Sequence, residues 1–587
     1  MSDDLFDVFD DAFLYFFCVI DLFMKIALFA VLIVLLNGLL GWSINLPQNV
    51  GADVPSGKLG SLSFAPFREG QGPLEKKFPT PEQIDADLRL MGEKTHTIRT
   101  YASNGGSMPV IPALARKHGL LMIQGAWLSP IKADNRAEID EVIRSANTNP
   151  DVVKRIIVGN EVLLRGDLDS NKLIEYIREV KRSVKQPVSY ADVWSMYMKH
   201  PELIKEVDFI TIHILPYWED EPITVDQAPA HVERIFKQVR QEADKIAPGK
   251  PILIGESGWP GAGRQRGWSV PSVVNEAKFI RALIKVANKN GFDYNIVEAF
   301  NQSWKSELEG VVGANWGLYS VDRKEVFPLT GLVYENPDWL HVVVASTLLF
   351  LIIVAYSWTA LQSLSSLHLV FFLLFSQLLS LLLANMAENL WYTSYSDWQR
   401  LQTLLIIALN AVLAGLIVQR SLGLLAGKAA NLKFGAWIYT LYILFAGFAV
   451  YKTFGLVLDG RYISFPTAAV YIPVVGMLGL TIVNHIIAPS RSLKAVEIRR
   501  LTGHQNSQAD QDKIVGYTLL AVGLALVLWE TKAFMVGRDF ILAYANVGER
   551  IAMAFVFSVT NFQLVVWLIC LAMLALPLLA SNDRTDR

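Results

Sequence analysis

The chain has 587 residues, with 53 Lys and Arg against 55 Asp and Glu and a hydrophobic fraction of 52%. A mean hydropathy of +0.32 is too high for a wholly water-soluble protein, so part of the chain must lie in lipid. The balanced charge offers no basic surface for nucleic acid. Two cysteines, Cys18 and Cys570, both in apolar runs, exclude a disulfide framework and a cysteine-ligated metal.

The first apolar run is Ile26 to Ile44, preceded by Lys25. It is about long enough to span a bilayer. A cleaved signal peptide is the other reading, but no small-x-small site closes the run, so residues 24–45 read as an uncleaved anchor with residue 50 onward outside. Residues 1–23 are acidic and aromatic, unlike a targeting segment, and Met24-Lys25 looks like an ordinary start. The expectation is that 1–23 is an upstream extension.

Residues 50–338 carry the usual mix of charged, Gly and Pro residues. Strand-like runs fall at 59–66, 96–101, 120–127, 154–160, 187–191, 207–213, 250–256 and 293–300. Amphipathic stretches separate them, at 80–91, 133–147, 170–185, 224–246 and 272–290. Eight strands alternating with helices over a segment of this size predict an α/β fold, a (β/α)8 TIM barrel. No Gly-x-Gly-x-x-Gly follows the first strand, which disfavours a dinucleotide fold.

Residues 339–580 are dominated by apolar runs, read as seven spans at 340–358, 366–385, 401–419, 435–451, 467–488, 514–530 and 551–579. This is a polytopic α-helical membrane domain, followed by a tail at 581–587. Cations collect in the 420–434 loop (Arg420, Lys428, Lys433), in the 489–513 loop (Arg491, Lys494, Arg499, Arg500, Lys513) and in the tail (Arg584, Arg587). The alternate loops hold aromatics instead, among them Trp391, Tyr392, Tyr395 and Trp398. The positive-inside rule thus agrees with the N-terminal anchor: both termini in the cytoplasm, barrel outside. Glu388, Glu530 and Lys532 sit at span ends and read as interfacial.

In such a barrel the active site lies where the strands end. The ends carry Arg99 and Tyr101, Trp127, Asn160-Glu161, Asp192 and Trp194, His213 then Tyr217-Trp218, Glu256 then Trp259, and Glu298, Asn301, Gln302, Trp304 and Lys305. Aromatic, amide and carboxylate side chains converging on one rim make a carbohydrate site, with rings to stack on sugars and polar groups to take hydroxyls. Glu161 and Glu256 each close an apolar strand, where a charge is costly unless paired or functional. Paired carboxylates across a barrel mouth suit cleavage of a glycosidic bond, one protonating the leaving oxygen and the other attacking the anomeric carbon. The bland alternative is that either glutamate pairs with Arg99 or Lys305. His213 reads as a substrate ligand or as a strand-end histidine held by backbone bonds. Trp194, Trp218 and Trp316 read as subsites or as packing, and Arg99 as orienting a carboxylate rather than touching sugar.

Val158-Gly159-Asn160-Glu161 and Gly255-Glu256-Ser257-Gly258-Trp259-Pro260 resemble the acid/base and nucleophile signatures of glycoside hydrolase family 17. The resemblance covers about 58–330. It implies Glu161 as general acid/base, Glu256 as nucleophile, Asn160 on the sugar 2-hydroxyl, Tyr217 near the nucleophile, and Glu298 and Lys305 as the family's strand-8 pair. Arg99, Tyr101, Trp127, Trp194, His213, Trp259, Gln302 and Trp316 complete the expected substrate surface. Ser257 stands where plant members commonly have Thr, and the eighth strand reads EAFNQSWK. That eighth-strand version, and a barrel followed by a polytopic tail, resemble the bacterial, membrane-linked branch, whose members act as β-glucan transglycosylases in making periplasmic or cyclic β-1,3/1,6-glucans.

The expected function is a retaining β-1,3-glucan-active transglycosylase, with a hydrolytic β-1,3-glucanase as the alternative and a non-enzymatic glucan-handling membrane protein as a second. The expected partners are a β-glucan and the lipid bilayer, with a separate synthase supplying the glucan. No cofactor or metal is expected. The expected location is a bacterial inner membrane with the barrel in the periplasm.

Overall fold

The computed structural model describes residues 3–489, 493–504 and 509–581, with side chains described from residue 23 onward except 493 and 494. Arg491, Arg584, Arg587 and the side chains of Cys18 and Lys494, on which part of the reading above rests, lie outside the described residues.

Eight parallel strands close into a barrel in the order of the sequence: Leu59–Ser63 (β1), Thr95–Arg99 (β2), Leu121–Ala126 (β3), Val153–Asn160 (β4), Val188–Val193 (β5), Ile210–His213 (β6), Ile252–Ser257 (β7) and Asp293–Ile296 (β8). Closure runs through Leu62 opposite Ile296. The strands sort their side chains by alternation. On β4, Ile156 and Val158 join the large core between strands and helices. Ile157 instead packs with Ile123, Ala191, Phe209 and Leu253 in a small separate cluster on the other strand face. Burying such a side chain contributes about 1.5–3 kcal/mol.

The outer helices follow their sequence signals. Pro81–Lys94 begins on a capping box between Thr80 and Gln83. Ser170–Ser183 is capped by Asp169, and its buried stripe is Leu173, Ile174, Tyr176, Ile177 and Val180. Several short helices had no sequence signal of their own: Ile111–Lys117, between β2 and β3, and Trp194–Lys199 and Leu203–Glu206, between β5 and β6, are too short for a clear period. The eighth strand is four residues, not eight, because Glu298 to Phe300 turn away to pair with the segment at 316–319.

Eight helices among the described residues are long and apolar enough to cross a membrane: Phe23–Ile44, Trp339–Leu361, Ser366–Tyr392, Asp397–Leu425, Leu432–Leu458, Thr467–Ile487, Ala509–Met535 and Phe562–Leu579. The first is part of a continuous helix, Asp3–Ile44. The last expected span is corrected: 551–579 is not one helix. Val547–Val559 ends at Thr560, and Asn561 caps a new helix by accepting from the Leu564 N–H. Polar ties between helices include Asn37 to Ser346 (3.1 Å), Tyr442 to the Leu574 carbonyl (2.7 Å) and Trp567 to Thr453 (3.1 Å).

The barrel rests on this bundle by the face at which its strands end. The β7 loop supplies Arg264, which is buried, donates to the Ile463 carbonyl (2.8 Å), pairs with Glu530 and lies 4.3 Å over the Phe465 ring. Glu530, read from sequence as an interfacial charge, is thus half of an interdomain ion pair. Beside it the Gln265 N–H donates to Gln563 (2.9 Å) and Asn561 donates to the Gln265 carbonyl (2.8 Å). Asn315 donates to the Tyr395 hydroxyl (2.8 Å), Arg400 pairs with Glu69, and Tyr544 donates to Glu221 (3.2 Å). Every one of these bundle residues sits at the end that the charge pattern places outside.

Candidate active site

Strict alternation would send Glu256 outward with Ile252 and Ile254, whose side chains face the helices. Two irregularities prevent this. The register of β7 slips between Ile254 and Ser257 against β8, and that of β6 slips between Ile212 and His213 against β7. Such slips re-aim side chains next to active sites. Gly255 has no Cβ because one would stand 2.4 Å from Thr211 and 3.3 Å from the His213 ring. Glu256 therefore turns into the mouth opposite His213. Glu161 leaves β4 in the left-handed region (φ 53°, ψ 30°) and starts the short helix Val162–Arg165. A non-glycine residue there is strained and is held only by its surroundings. Its N–H donates to the Ala191 carbonyl (2.8 Å), while Tyr190 and Asp192 accept the N–H groups of Leu163 and Leu164.

The two carboxylates meet over His213. Its Nδ1 is 2.9 Å from Glu161 and its Nε2 is 3.5 Å from Glu256. One oxygen of each glutamate and one histidine nitrogen all lie within 4.8 Å of one another. Arg99 is buried beneath them. It donates to Glu256 (2.8 Å) and the Gly255 carbonyl (3.0 Å) with one nitrogen and to Asn160 Oδ1 (2.6 Å) with the other. Tyr101 lies 4.8 Å from the Arg99 guanidinium and donates to Ser63 (3.1 Å).

Burial alone would raise the carboxyl of Glu256, but the His213 and Arg99 charges and the Arg99 hydrogen bond outweigh it and hold Glu256 below the usual carboxylate range. Glu298 is the contrast. It is fully buried, and burial pushes it up to about 7 against the pull of Lys305, 2.8 Å away. Burial also pushes Asp192 up to about 6, with Glu161 adding to the rise.

Glu161, Glu256, His213, Trp194, Lys305 and Trp316 line one cleft of about 460 Å³, within the range of small-molecule sites. Other expected contact residues lie outside the cleft lining. Trp259 is fully buried and donates to the Val270 carbonyl; Tyr217 is fully buried and donates to the Arg264 carbonyl. Both support the loops that carry Trp218 and Glu256 and present no face to the cleft. Gln302 is tied down by bonds to the Ala65 and Phe300 carbonyls. Trp127 is 39% exposed but outside the cleft lining, stacked under Arg165 at 4.4 Å. Asn160 touches Arg99, and Glu298 touches Lys305, so each acts from behind the cleft surface.

Glu309, Arg461, Tyr462 and Arg538 also line the cleft, and sequence reading missed all of them. Glu309 follows no strand, so no strand-end rule selects it. Its carboxyl is raised by burial, partly offset by Lys305, with Glu161 and Glu256 adding to the rise. Arg461 and Tyr462 stand between two spans; the only signal was Asp-Gly-Arg-Tyr, an aromatic and a cation in an outward loop.

A carboxylate held ionised beside a second one on a histidine can attack an acetal carbon while the other moves a proton. Residues 61–317 match the BtgE/BtgC glycoside hydrolase domain. The chain is 29% identical over 273 residues to a glucan 1,3-beta-glucosidase of Arthroderma benhamiae, covering 44% of this chain and 88% of that one. It is 26% identical over 280 residues to a probable beta-glucosidase btgE of Aspergillus flavus, covering 45% of this chain and 43% of that one. The chain thus spans less than half the length of that btgE relative. Among solved structures, a family 17 β-1,3-glucanosyltransferase of Rhizomucor miehei in complex with laminaritriose is 28% identical, with a TM-score of 0.41 over 47% of this chain and 98% of that one. Over residues 61–317 the chain is similar to the BtgE/BtgC glycoside hydrolase domain, and these similarities together with the paired carboxylates support an enzyme acting on glycosidic bonds.

Proposed function

We propose that the protein is a retaining β-1,3-glucan-active enzyme that transfers the cleaved glycosyl unit to a glucan acceptor. The observation that carries the retaining part is the carboxylate separation. Oxygens of Glu161 and Glu256 within 4.8 Å match the roughly 5 Å of double displacement and leave no room for the water an inverting enzyme needs. Glu256 attacks the anomeric carbon while Glu161 protonates the departing oxygen, and a covalent glycosyl-enzyme forms. Glu161 then takes the proton of the acceptor hydroxyl as that oxygen displaces Glu256. Arg99 keeps Glu256 ionised, and His213 fixes the Glu161 carboxyl by its 2.9 Å contact. The β-1,3-glucan substrate is drawn from the relatives. Transfer rather than hydrolysis is favoured by the aromatic wall of Trp218 and Trp316, stacked at 6.3 Å and 17°, which can hold a sugar acceptor against water. The apolar helices and the one-sided cations support a bacterial inner membrane with the barrel in the periplasm.

Incubating the full-length chain with β-1,3-linked glucose oligosaccharides tests the reading. Products longer than the donor are expected; only shorter products would mean a glucanase, and none would end the proposal. Glu161, His213 and Glu256 could also span a metal ion. Arg99 already fixes a positive charge against Glu256, so a second cation there would be repelled. Dialysis against a chelator should therefore leave turnover within about twofold, a difference of about 0.4 kcal/mol in the barrier.

A further inference from the structure

The catalytic cleft has a wall that the barrel does not supply. Arg461 and Tyr462, from the loop between helices Leu432–Leu458 and Thr467–Ile487, line it together with Arg538, which opens the short helix Arg538–Ala543 after helix Ala509–Met535. Tyr462 stands edge-on to Trp218 at 5.7 Å, and the Arg461 guanidinium lies 5.6 Å from the Trp218 ring and 5.9 Å from that of Tyr462. Trp218 in turn stacks on Trp316. The aromatic row that begins beside the nucleophile thus continues across the domain boundary.

This wall is fixed in place. Arg264 holds the loop through the Ile463 carbonyl and Phe465, and Asp220 accepts the N–H of Asp539 at 3.2 Å. Gly310, kinked at φ 67° just after Glu309, packs so closely that a Cβ would stand 2.1 Å from the Tyr462 carbonyl oxygen. The barrel and the bundle therefore meet beside the cleft without a gap. Arg461 itself is exposed and makes no hydrogen bond or ion pair among the described residues. Its five N–H donors are uncommitted and lie beside two rings, a pairing that suits a pyranose: ring faces for its C–H side, donors for its hydroxyls.

We propose that the outward end of the bundle is a glucan-binding subsite of the active site, with Arg461 and Tyr462 joining Trp218 to hold a glucose unit away from the cleaved bond. The seven helices after the barrel then do more than anchor it: they build part of its substrate surface, and the glucan lies along the seam between the domains. The inference rests on the proposed function only for the identity of the sugar.

Calorimetric binding to the full-length Glu256→Gln chain in detergent reads the subsite whether or not a bond is cleaved. The probes are β-1,3-linked and β-1,4-linked glucose oligosaccharides of increasing length. Arg461→Ala and Tyr462→Ala, each added to that chain, should weaken Kd for the longer β-1,3 oligosaccharides about three- to tenfold, and for the shortest binder less. Arg461→Ala removes no hydrogen bond or ion pair among the described residues, only the exposed contacts with the two rings, so an unchanged melting temperature is expected beside the weakened binding. Equal affinities in all three chains, or no glucan binding by any, would overturn the proposal. The same contrast in affinity from an unsubstituted chain that turns over no glucan would uphold the subsite and overturn the proposed reaction instead.

Discussion

Glu256→Gln should lower turnover of β-1,3-glucan by about 10⁴-fold or more, because the amide keeps the shape of the carboxylate but cannot attack. The binding groove should survive, since Gln still accepts from Arg99. Glu161→Gln should behave differently. On a natural glucan, losing the proton donor costs about 10²- to 10⁴-fold. On a donor with an activated aryl leaving group, the first step needs no proton. Glu161→Gln should then release a rapid burst of the leaving group and stall with the sugar on the enzyme. Stopped-flow release kinetics of the two variants separate the roles: a burst in the Glu256 variant, or none in the Glu161 variant, would exchange or dissolve the assignments.

Arg99→Met should move the acidic limb of kcat/KM upward by about 1 to 3 pH units. Glu256 must be ionised to attack. It is held below its ordinary value of 4.5 by charge and hydrogen bonding that outweigh burial, so the parent enzyme keeps its nucleophile charged well into the acid range. Removing the guanidinium takes away its charge and its hydrogen bond and leaves only His213 and Lys305 against burial, so the carboxyl rises. The stability effect has the same sign. A depressed folded pKa contributes stability above pH 4.5 that is lost as pH falls through the folded value; in Arg99→Met that contribution disappears. Breaking a buried pair from one side also leaves Glu256 and Asn160 without their partner, a loss of about 3–5 kcal/mol. A pH–rate profile with an unmoved acidic limb would show that Arg99 does not tune the nucleophile.

Much of the barrel was legible because its physics is local. Runs such as Ile252-Leu253-Ile254 can only be buried strands, and stripes such as Leu173, Ile177 and Val180 can only face a sheet. The two glutamates were legible because a charge closing an apolar strand demands a reason. What could not be read was direction. Whether Trp259 or Trp316 faces the cleft depends on register slips and loop packing that leave no mark in composition: the first is sealed in the core, the second lines the site. His213 showed as a strand-end residue, but its bridging position comes from the bulge opposite Gly255. Arg461 and Tyr462 lie about 200 residues beyond the nucleophile in sequence, and only the docking of the two domains brings them to it. The pairing of Arg264 with Glu530 is of the same kind.

Double displacement requires a covalent sugar on Glu256. Glu161→Gln treated with a 2-deoxy-2-fluoro β-glucosyl oligosaccharide bearing an activated leaving group should gain the mass of one glycosyl unit, and peptide mapping should place it on Glu256. An unlabelled protein, or a first product released with inverted anomeric configuration, would contradict the account.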